Sequence, residues 1–455
     1  AGVNLHSFGK LLPSCKGWQR RMQSAWSNIR FEASPFRMPS EQPSASDAGR
    51  MFSTAECSYE KGEEIMRFSQ RMNLFKPSAT LALNDRVLEL RSEGVEIANL
   101  VVGDPDFNTP EFIKDAAKRA LDENRTHYTP VPGGLELREA VLRYFKRVYG
   151  LEAAVENVAV STGGKQALFN VLMCVVDPGD EVIIPVPYWT SYPDMAALAG
   201  AVPVFAPSPA SRGFRITPED LERVRTPRSR ALMLNSPSNP TGVTYTAEEM
   251  EAILEWARRH EIFVISDEVY DQLVYPPAGQ ASACHWWKRH PESVAVVNAL
   301  SKSFAMTGWR MGYTLAHADL IRQCMKVQSQ VTSNPCSITQ AAAAAALEGD
   351  FSEMRAMREA FMRRRDMAYA EISTWEGVIC PCPEGAFYLF PDVSALYSEK
   401  MPDDTACCRY LLDEARVALM PGSAFGDSRC VRFSYSVADE VLESALHRVK
   451  KALYA

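Results

Sequence analysis

Apolar residues recur along most of the chain in two alternating rhythms. Short runs of consecutive aliphatic residues, bounded by Gly, Pro, Asn or Asp, predict buried strands at 97–103, 158–160, 181–185, 202–205, 231–234, 263–266 and 294–298. Between them the apolar positions return every three or four residues, the spacing of a helix with one buried face. Helices are expected from Lys76, from Glu111 behind Thr109-Pro110, after the turn Gly133-Gly134, and from Lys165. Such alternation predicts an α/β fold, a mostly parallel sheet covered on both faces by helices. Beyond about Thr332 the pattern turns more helical, with minor strands at Leu389 and Val431–Ser434, so a second, smaller α+β domain is expected. The run Ala341–Ala346 predicts a helix packed closely against a neighbour.

The N-terminal stretch breaks this rhythm. It is rich in Ser, Arg, Lys and Pro, with no acidic residue before Glu32, and Gly17–Arg30 is basic and able to form an amphipathic helix. Residues 1–62 therefore read as an extension, either a targeting segment for a plastid or mitochondrion or a disordered leader. Residues 63–110 read as an arm contributing to the smaller domain, 111–331 as the large domain, and 332–455 as the C-terminal small domain.

Composition narrows the partners. With 455 residues, 46% of them hydrophobic, the chain can bury a large core. A net charge of -7 leaves no basic footprint for nucleic acid. No apolar run approaches the roughly 18 residues of a membrane span. The eleven cysteines are scattered, and Cys380/Cys382 and Cys407/Cys408 lack zinc-ligand spacing, so reduced thiols and no metal are expected.

Candidate chemistry concentrates in Asn298–Tyr313, read as one loop leaving a buried strand. Lys302 stands there between Ser301 and Ser303, and Arg310 follows eight positions later. A lysine at a buried strand exit is desolvated, which frees its amine to attack an aldehyde, and an arginine beside it clamps an anion. Pyridoxal phosphate carries both groups. Gly163-Gly164 opens a helix at another strand end, where free N–H groups and the helix dipole favour a phosphate, although such turns also occur without one. Trp189 either stacks on a planar ligand at a strand's carboxyl end or fills the core. The proline-rich loop Leu234–Gly242 is rigid and offers Asn239 as a donor to a phenolate oxygen. Asp267 directly follows an apolar strand, and a carboxylate there needs a partner such as a protonated pyridine nitrogen.

These motifs occur in one order: Gly103-Asp-Pro-Asp-Phe, Tyr128-Thr-Pro, Gly163-Gly-Lys-Gln-Ala-Leu, Pro187-Tyr-Trp, Ser238-Asn-Pro-Thr-Gly, Ser266-Asp-Glu-Val-Tyr, Ser301-Lys-Ser-Phe-Ala-Met-Thr-Gly-Trp-Arg and Val431-Arg-Phe-Ser-Tyr. From about Lys76 to the C-terminus the series resembles the fold-type I, class I pyridoxal-phosphate aminotransferases. It is most similar to subgroup 1-beta, the bacterial-type aspartate and glutamate/aspartate-prephenate aminotransferases. The resemblance implies that Lys302 bonds the cofactor aldehyde and later shuttles a proton, and that Asp267 pairs with the pyridinium nitrogen. It implies that Asn239 and Tyr270 hydrogen-bond the phenolate oxygen and that Trp189 stacks on the ring. Gly164, Lys165, Ser301 and Arg310 would hold the phosphate, with Tyr128 reaching in from the partner of a homodimer. Arg432 and the Gly103 backbone would take the substrate α-carboxylate, and Lys165, Lys76 and Thr80 an acidic side chain. The implied reaction is amino transfer between aspartate and 2-oxoglutarate. The alternatives are a prephenate or an aromatic or neutral amino acid aminotransferase of the same fold. A non-catalytic ligand sensor on this fold would need an effector module, and no helix-turn-helix pattern is present. Asp104, Ser238 and Phe433 depart from the usual Glu, Asn and Ile, and the first two bear on specificity.

Overall fold

The computed structural model describes residues 66, 68–74, 79–279 and 281–454, the side chains of 79–84 and 91 excepted. The expected extension 1–62 and Lys76 lie outside the described residues, and so does the side chain of Thr80. The central feature of residues 68–455 is a seven-stranded sheet. Its strands are β2 (Val158–Ser161), β3 (Glu181–Val186), β4 (Val202–Pro207), β5 (Ser229–Asn235), β6 (Phe263–Asp267), β7 (Val294–Ala299) and β8 (Gly312–Leu315), following β1 (Ala98–Asn99) in the chain. They lie in the order β2-β8-β7-β6-β5-β3-β4. Every pairing is parallel except those of β8, which runs antiparallel to both β2 and β7.

The continuous apolar runs form strands because both faces of the sheet are covered. Val158 and Val160 point into one buried cluster and Ala159 into another; Ile183 likewise joins the first, Val182 and Ile184 the second. Helices Leu135–Tyr149 and Ala247–Arg259 supply the first cluster, and helices Gly164–Val175 and Ala318–Val331 the second.

Two smaller sheets follow. One pairs β1 with β10 (Val417–Ala418) in parallel; the other is antiparallel, with β12 (Val431–Ser434) between β11 (Met420–Pro421) and β9 (Tyr388–Leu389). Helices Ser352–Ile372, Asp404–Ala415 and Asp439–Leu453 pack around them. The hydrophobic clusters divide later than the residue 332 expected from the pattern. Ala342–Leu347 and Met354 belong with the large sheet, whereas Met357 and Phe361 belong with the small ones. The cause is the alanine-rich helix Ser337–Glu348, whose small side chains let it lie close against helices Glu111–Asp122 and Leu135–Tyr149.

A second difference concerns Asn298–Tyr313. It is not one loop: β7 runs to Ala299, a short helix occupies Leu300–Ser303, a single turn Thr307–Trp309, and β8 begins at Gly312. Among the described residues no helix is long and apolar enough to cross a membrane.

Candidate active site

The parallel strands all end on the same edge of the sheet, the edge at which open α/β sheets take ligands. Asp267 is the last residue of β6 and Asn235 the last of β5, side by side in the pairing. The Lys302 helix follows β7, Gly163-Gly164 follows β2, and Trp189 follows β3. Together with β9, β11 and β12 these ends enclose a cavity of about 370 Å³.

Of the residues singled out from the sequence, Gly103, Gly164, Lys165, Trp189, Asn239, Asp267, Tyr270, Ser301, Lys302, Arg310 and Arg432 line this cavity. Tyr128 does not. Its side chain is 92% exposed and borders a separate depression beside Gln340. Nor do Asp104, which is exposed, or Ser238, which is buried and whose N–H donates to the Val243 carbonyl. Phe433 is a core residue set edge-on against Trp375.

Lys302 donates from Nζ to the Gly103 carbonyl. Burial pulls its amine down to about 8, with Asp104 opposing and the positive Arg432 and Arg310 adding to the fall. Asp267 moves the other way. Burial raises its carboxyl to about 6, against hydrogen bonds from the Tyr192 hydroxyl at 2.6 Å and the Val269 N–H at 3.3 Å. A lysine made easier to deprotonate and an acid made harder to ionise line the same cavity, a combination suited to proton-transfer chemistry.

The phosphate-type turn is tight. Gly163 has φ of +82°, and a Cβ on it would lie 2.5 Å from Arg310 Nη2. The Gly164 N–H opens the twelve-residue helix to Val175, so backbone donors and a guanidinium share one spot. Arg310 itself is fixed by an Nη1 bond of 2.9 Å to the Thr307 carbonyl. Lys165 stands 4.9 Å over the Trp189 ring, and its ammonium is made less basic by burial and by Arg310.

On the opposite wall Arg432 is buried in β12. Nη1 donates to Asn239 Oδ1 at 3.0 Å and Nη2 to the Val101 carbonyl at 2.5 Å. Its guanidinium lies 4.5 Å from the Tyr388 ring centre and 4.9 Å from that of Phe425. Among the described residues its Nε has no hydrogen-bond partner. A buried cation with one unused donor is built for an external anion.

Several lining residues escaped the sequence reading: Asn235, Tyr388, Phe425 and Met420. Asn235 anchors the loop through Nδ2 to the Asp267 carbonyl at 2.9 Å and accepts the Asn239 N–H at 2.8 Å. Tyr192, which holds Asp267, follows Trp189 by three residues, a helical spacing that signals a shared face; the rings meet edge-on at 5.5 Å.

Comparison with known proteins accords with this geometry. A family model described as aminotransferase class I and II matches residues 95–449. An aspartate/prephenate aminotransferase of Cereibacter sphaeroides is 45% identical over 382 residues, covering 82% of this chain and 96% of its own. A bifunctional aspartate aminotransferase and glutamate/aspartate-prephenate aminotransferase of Petunia hybrida is 43% identical over 87% of this chain and 85% of its own. Among solved structures, the aspartate aminotransferase of Rhizobium meliloti superposes with a TM-score of 0.83 at 39% identity, covering 86% of this chain and 99% of its own. The Thermus thermophilus aspartate aminotransferase with maleate gives 0.80 at 41%, covering 85% and 100%. The chain belongs to the class I and II aminotransferases.

Proposed function

We propose that the protein is a pyridoxal-phosphate-dependent aspartate aminotransferase, exchanging an amino group between L-aspartate and 2-oxoglutarate to give oxaloacetate and L-glutamate. The observation that carries this reading is the convergence of Lys302, Asp267 and Arg432 on one cavity. The residues fit the cofactor on their own chemistry. A carboxyl held up at about 6 gains from a protonated ring nitrogen, and at Gly163 the bare backbone lets the Arg310 guanidinium lie directly against the turn. When bound, pyridoxal phosphate supplies the electron sink for the charge left at the substrate Cα.

Each residue then has a physical task. Asp267, oriented by Tyr192, would hold the protonated pyridine nitrogen. Tyr270 would donate to the phenolate oxygen, and so would Asn239 through Nδ2, because its Oδ1 already accepts from Arg432. The Gly164-Lys165 turn, Ser301 and Arg310 would hold the phosphate at the helix terminus. Trp189 covers the ring. Lys302, already depressed to about 8, would act as the base that takes and returns the substrate Cα proton. Arg432 takes the α-carboxylate, with Gly103 beside it. Lys165, on the far side over Trp189, supplies a second cation for an acidic side chain, with Lys76 and Thr80 as further contributors. Tyr128, exposed on its own chain, serves the phosphate of the partner in a homodimer.

The test is a half-reaction. Aspartate and glutamate should convert the bound aldehyde form of the cofactor to its amine form, followed by absorbance, and Lys302→Ala should abolish turnover. If phenylalanine or alanine converts it while aspartate and glutamate do not, the acidic-substrate reading is wrong. The relatives from Cereibacter sphaeroides and Petunia hybrida are named for prephenate as well as aspartate, which supports prephenate as a second acceptor, to be included in the same panel. The basic, acid-poor stretch through Arg30 supports delivery to a plastid or mitochondrion, readable from the destination of a fluorescent fusion to residues 1–62.

A further inference from the structure

One buried side chain touches both halves of the site without a part in the scheme above. Tyr388, on β9 opposite Ser434 of β12, is 0% exposed overall yet borders the cavity. Its hydroxyl lies 3.0 Å from the Tyr270 hydroxyl, and the two rings meet edge-on at 6.0 Å. Its ring face carries the Arg432 guanidinium at 4.5 Å. A Cβ on Gly103 would sit 3.0 Å from the same hydroxyl, so Tyr388 also limits the backbone whose carbonyl holds Lys302.

Two hydroxyls in contact share a single proton between them. If the Tyr270 proton is given to a ligand oxygen, Tyr388 must be the donor to Tyr270. Successive hydrogen bonds polarise one another in a buried site, so this donation strengthens the next one. The ring acts separately: its attraction for the guanidinium holds Arg432 in place at the cavity wall.

Resting on the pyridoxal phosphate reading, we propose that Tyr388 is a positioning residue for both substrate and cofactor. Its hydroxyl strengthens the Tyr270 donation to the phenolate oxygen, and its ring orients Arg432 for the substrate carboxylate. The two roles separate by substitution, since Tyr388→Phe removes only the hydroxyl and Tyr388→Leu removes the aromatic face as well.

The holoenzyme reports the first role through the pH midpoint of the cofactor's visible absorbance. With the phenolate less stabilised, the Lys302 nitrogen bound to the cofactor keeps its proton to higher pH. A cooperative gain of 10–30% on a charge-assisted hydrogen bond predicts an upward shift of a few tenths of a unit, at most about 0.7, in Tyr388→Phe. In a Tyr270→Phe background the same change should add nothing. Equilibrium binding of maleate, an unreactive dicarboxylate, reports the second role. The Kd should stay within about twofold in Tyr388→Phe and weaken beyond that, up to about 30-fold, in Tyr388→Leu. An unmoved or lowered midpoint in Tyr388→Phe, or an additive shift in the double variant, overturns the hydroxyl role. Maleate binding by Tyr388→Leu equal to wild type overturns the ring role. A wild-type protein that shows no cofactor absorbance band fails the pyridoxal phosphate reading itself and takes the proposal with it.

Discussion

Replacing Lys302 by Met should make the cofactor-free protein more stable at neutral pH, although it destroys the activity. Lys302 is depressed from 10.5 to about 8, so its charge is carried less willingly in the folded state than in the unfolded chain. Below pH 8 both states are protonated and the folded one bears the whole penalty. As pH rises from 8 towards 10.5 the folded state has already released its proton while the unfolded chain still binds one, and stability rises. At about 1.4 kcal/mol per unit, the penalty is about 3 kcal/mol at pH 7 and about 1 kcal/mol at pH 10. Met has a similar length and no charge, but it leaves the Gly103 carbonyl without its donor, a loss of about 1 kcal/mol. The net expectation is a gain of about 2 kcal/mol at pH 7 that shrinks to about zero at pH 10. Urea unfolding of both cofactor-free proteins at the two pH values measures it. A variant no more stable than wild type at pH 7, or a difference that does not change with pH, would refute the reasoning.

Other residues make separate demands. Arg432→Lys keeps the charge but loses the fork, so one charge-assisted hydrogen bond of about 1.5–3 kcal/mol should disappear. In steady-state kinetics kcat/KM for aspartate then falls about 10- to 150-fold, and a loss below threefold would contradict a carboxylate role. Asp267→Asn would remove the buried carboxylate proposed to pair with the ring nitrogen, at a cost of about 3–5 kcal/mol, and should lower kcat by at least about a hundredfold. A variant retaining half of the wild-type kcat would remove Asp267 from the mechanism. Gly312→Ala would place a Cβ 2.4 Å from the Gly164 nitrogen and 2.5 Å from the Gly163 carbonyl carbon, both backbone atoms. Overpacking of about 1–3 kcal/mol is expected, with weaker pyridoxal phosphate retention on dialysis and a lower Tm; unchanged retention and Tm would show that the contact yields.

The parts of the site readable from the chain are those announced by their own neighbours. Asp267 closes an aliphatic strand, and Lys302 and Asn239 come three and four residues after one ends, so their place near the sheet edge is a local matter. Gly163-Gly164 carries its meaning in two adjacent residues. Tyr388 and Arg432 do not: they stand 44 positions apart and meet only through the antiparallel register of β9 and β12, which no spacing rule encodes. β8 was hidden for a related reason. Gly312–Leu315 is four residues long and begins two residues after Arg310, so an extended return strand looks like the tail of a loop. Tyr192 lay within reach, three residues past Trp189, but its partner Asp267 is 75 positions away. The late division between the hydrophobic clusters reflects packing again, since six consecutive alanines suit any crowded interface.

The lone antiparallel strand also orders assembly in time. Within the sheet β2 pairs only with β8, more than 150 residues further on, and β8 presses Gly312 against the Gly163-Gly164 turn. A growing chain that has already made β2 through β7 still lacks the wall behind its anion-binding turn. Affinity for the cofactor thus depends on a long-range closure of the kind that slows folding. Capture of pyridoxal phosphate then serves as a clock for that closure, marking when the sheet is complete rather than when its first strands have formed.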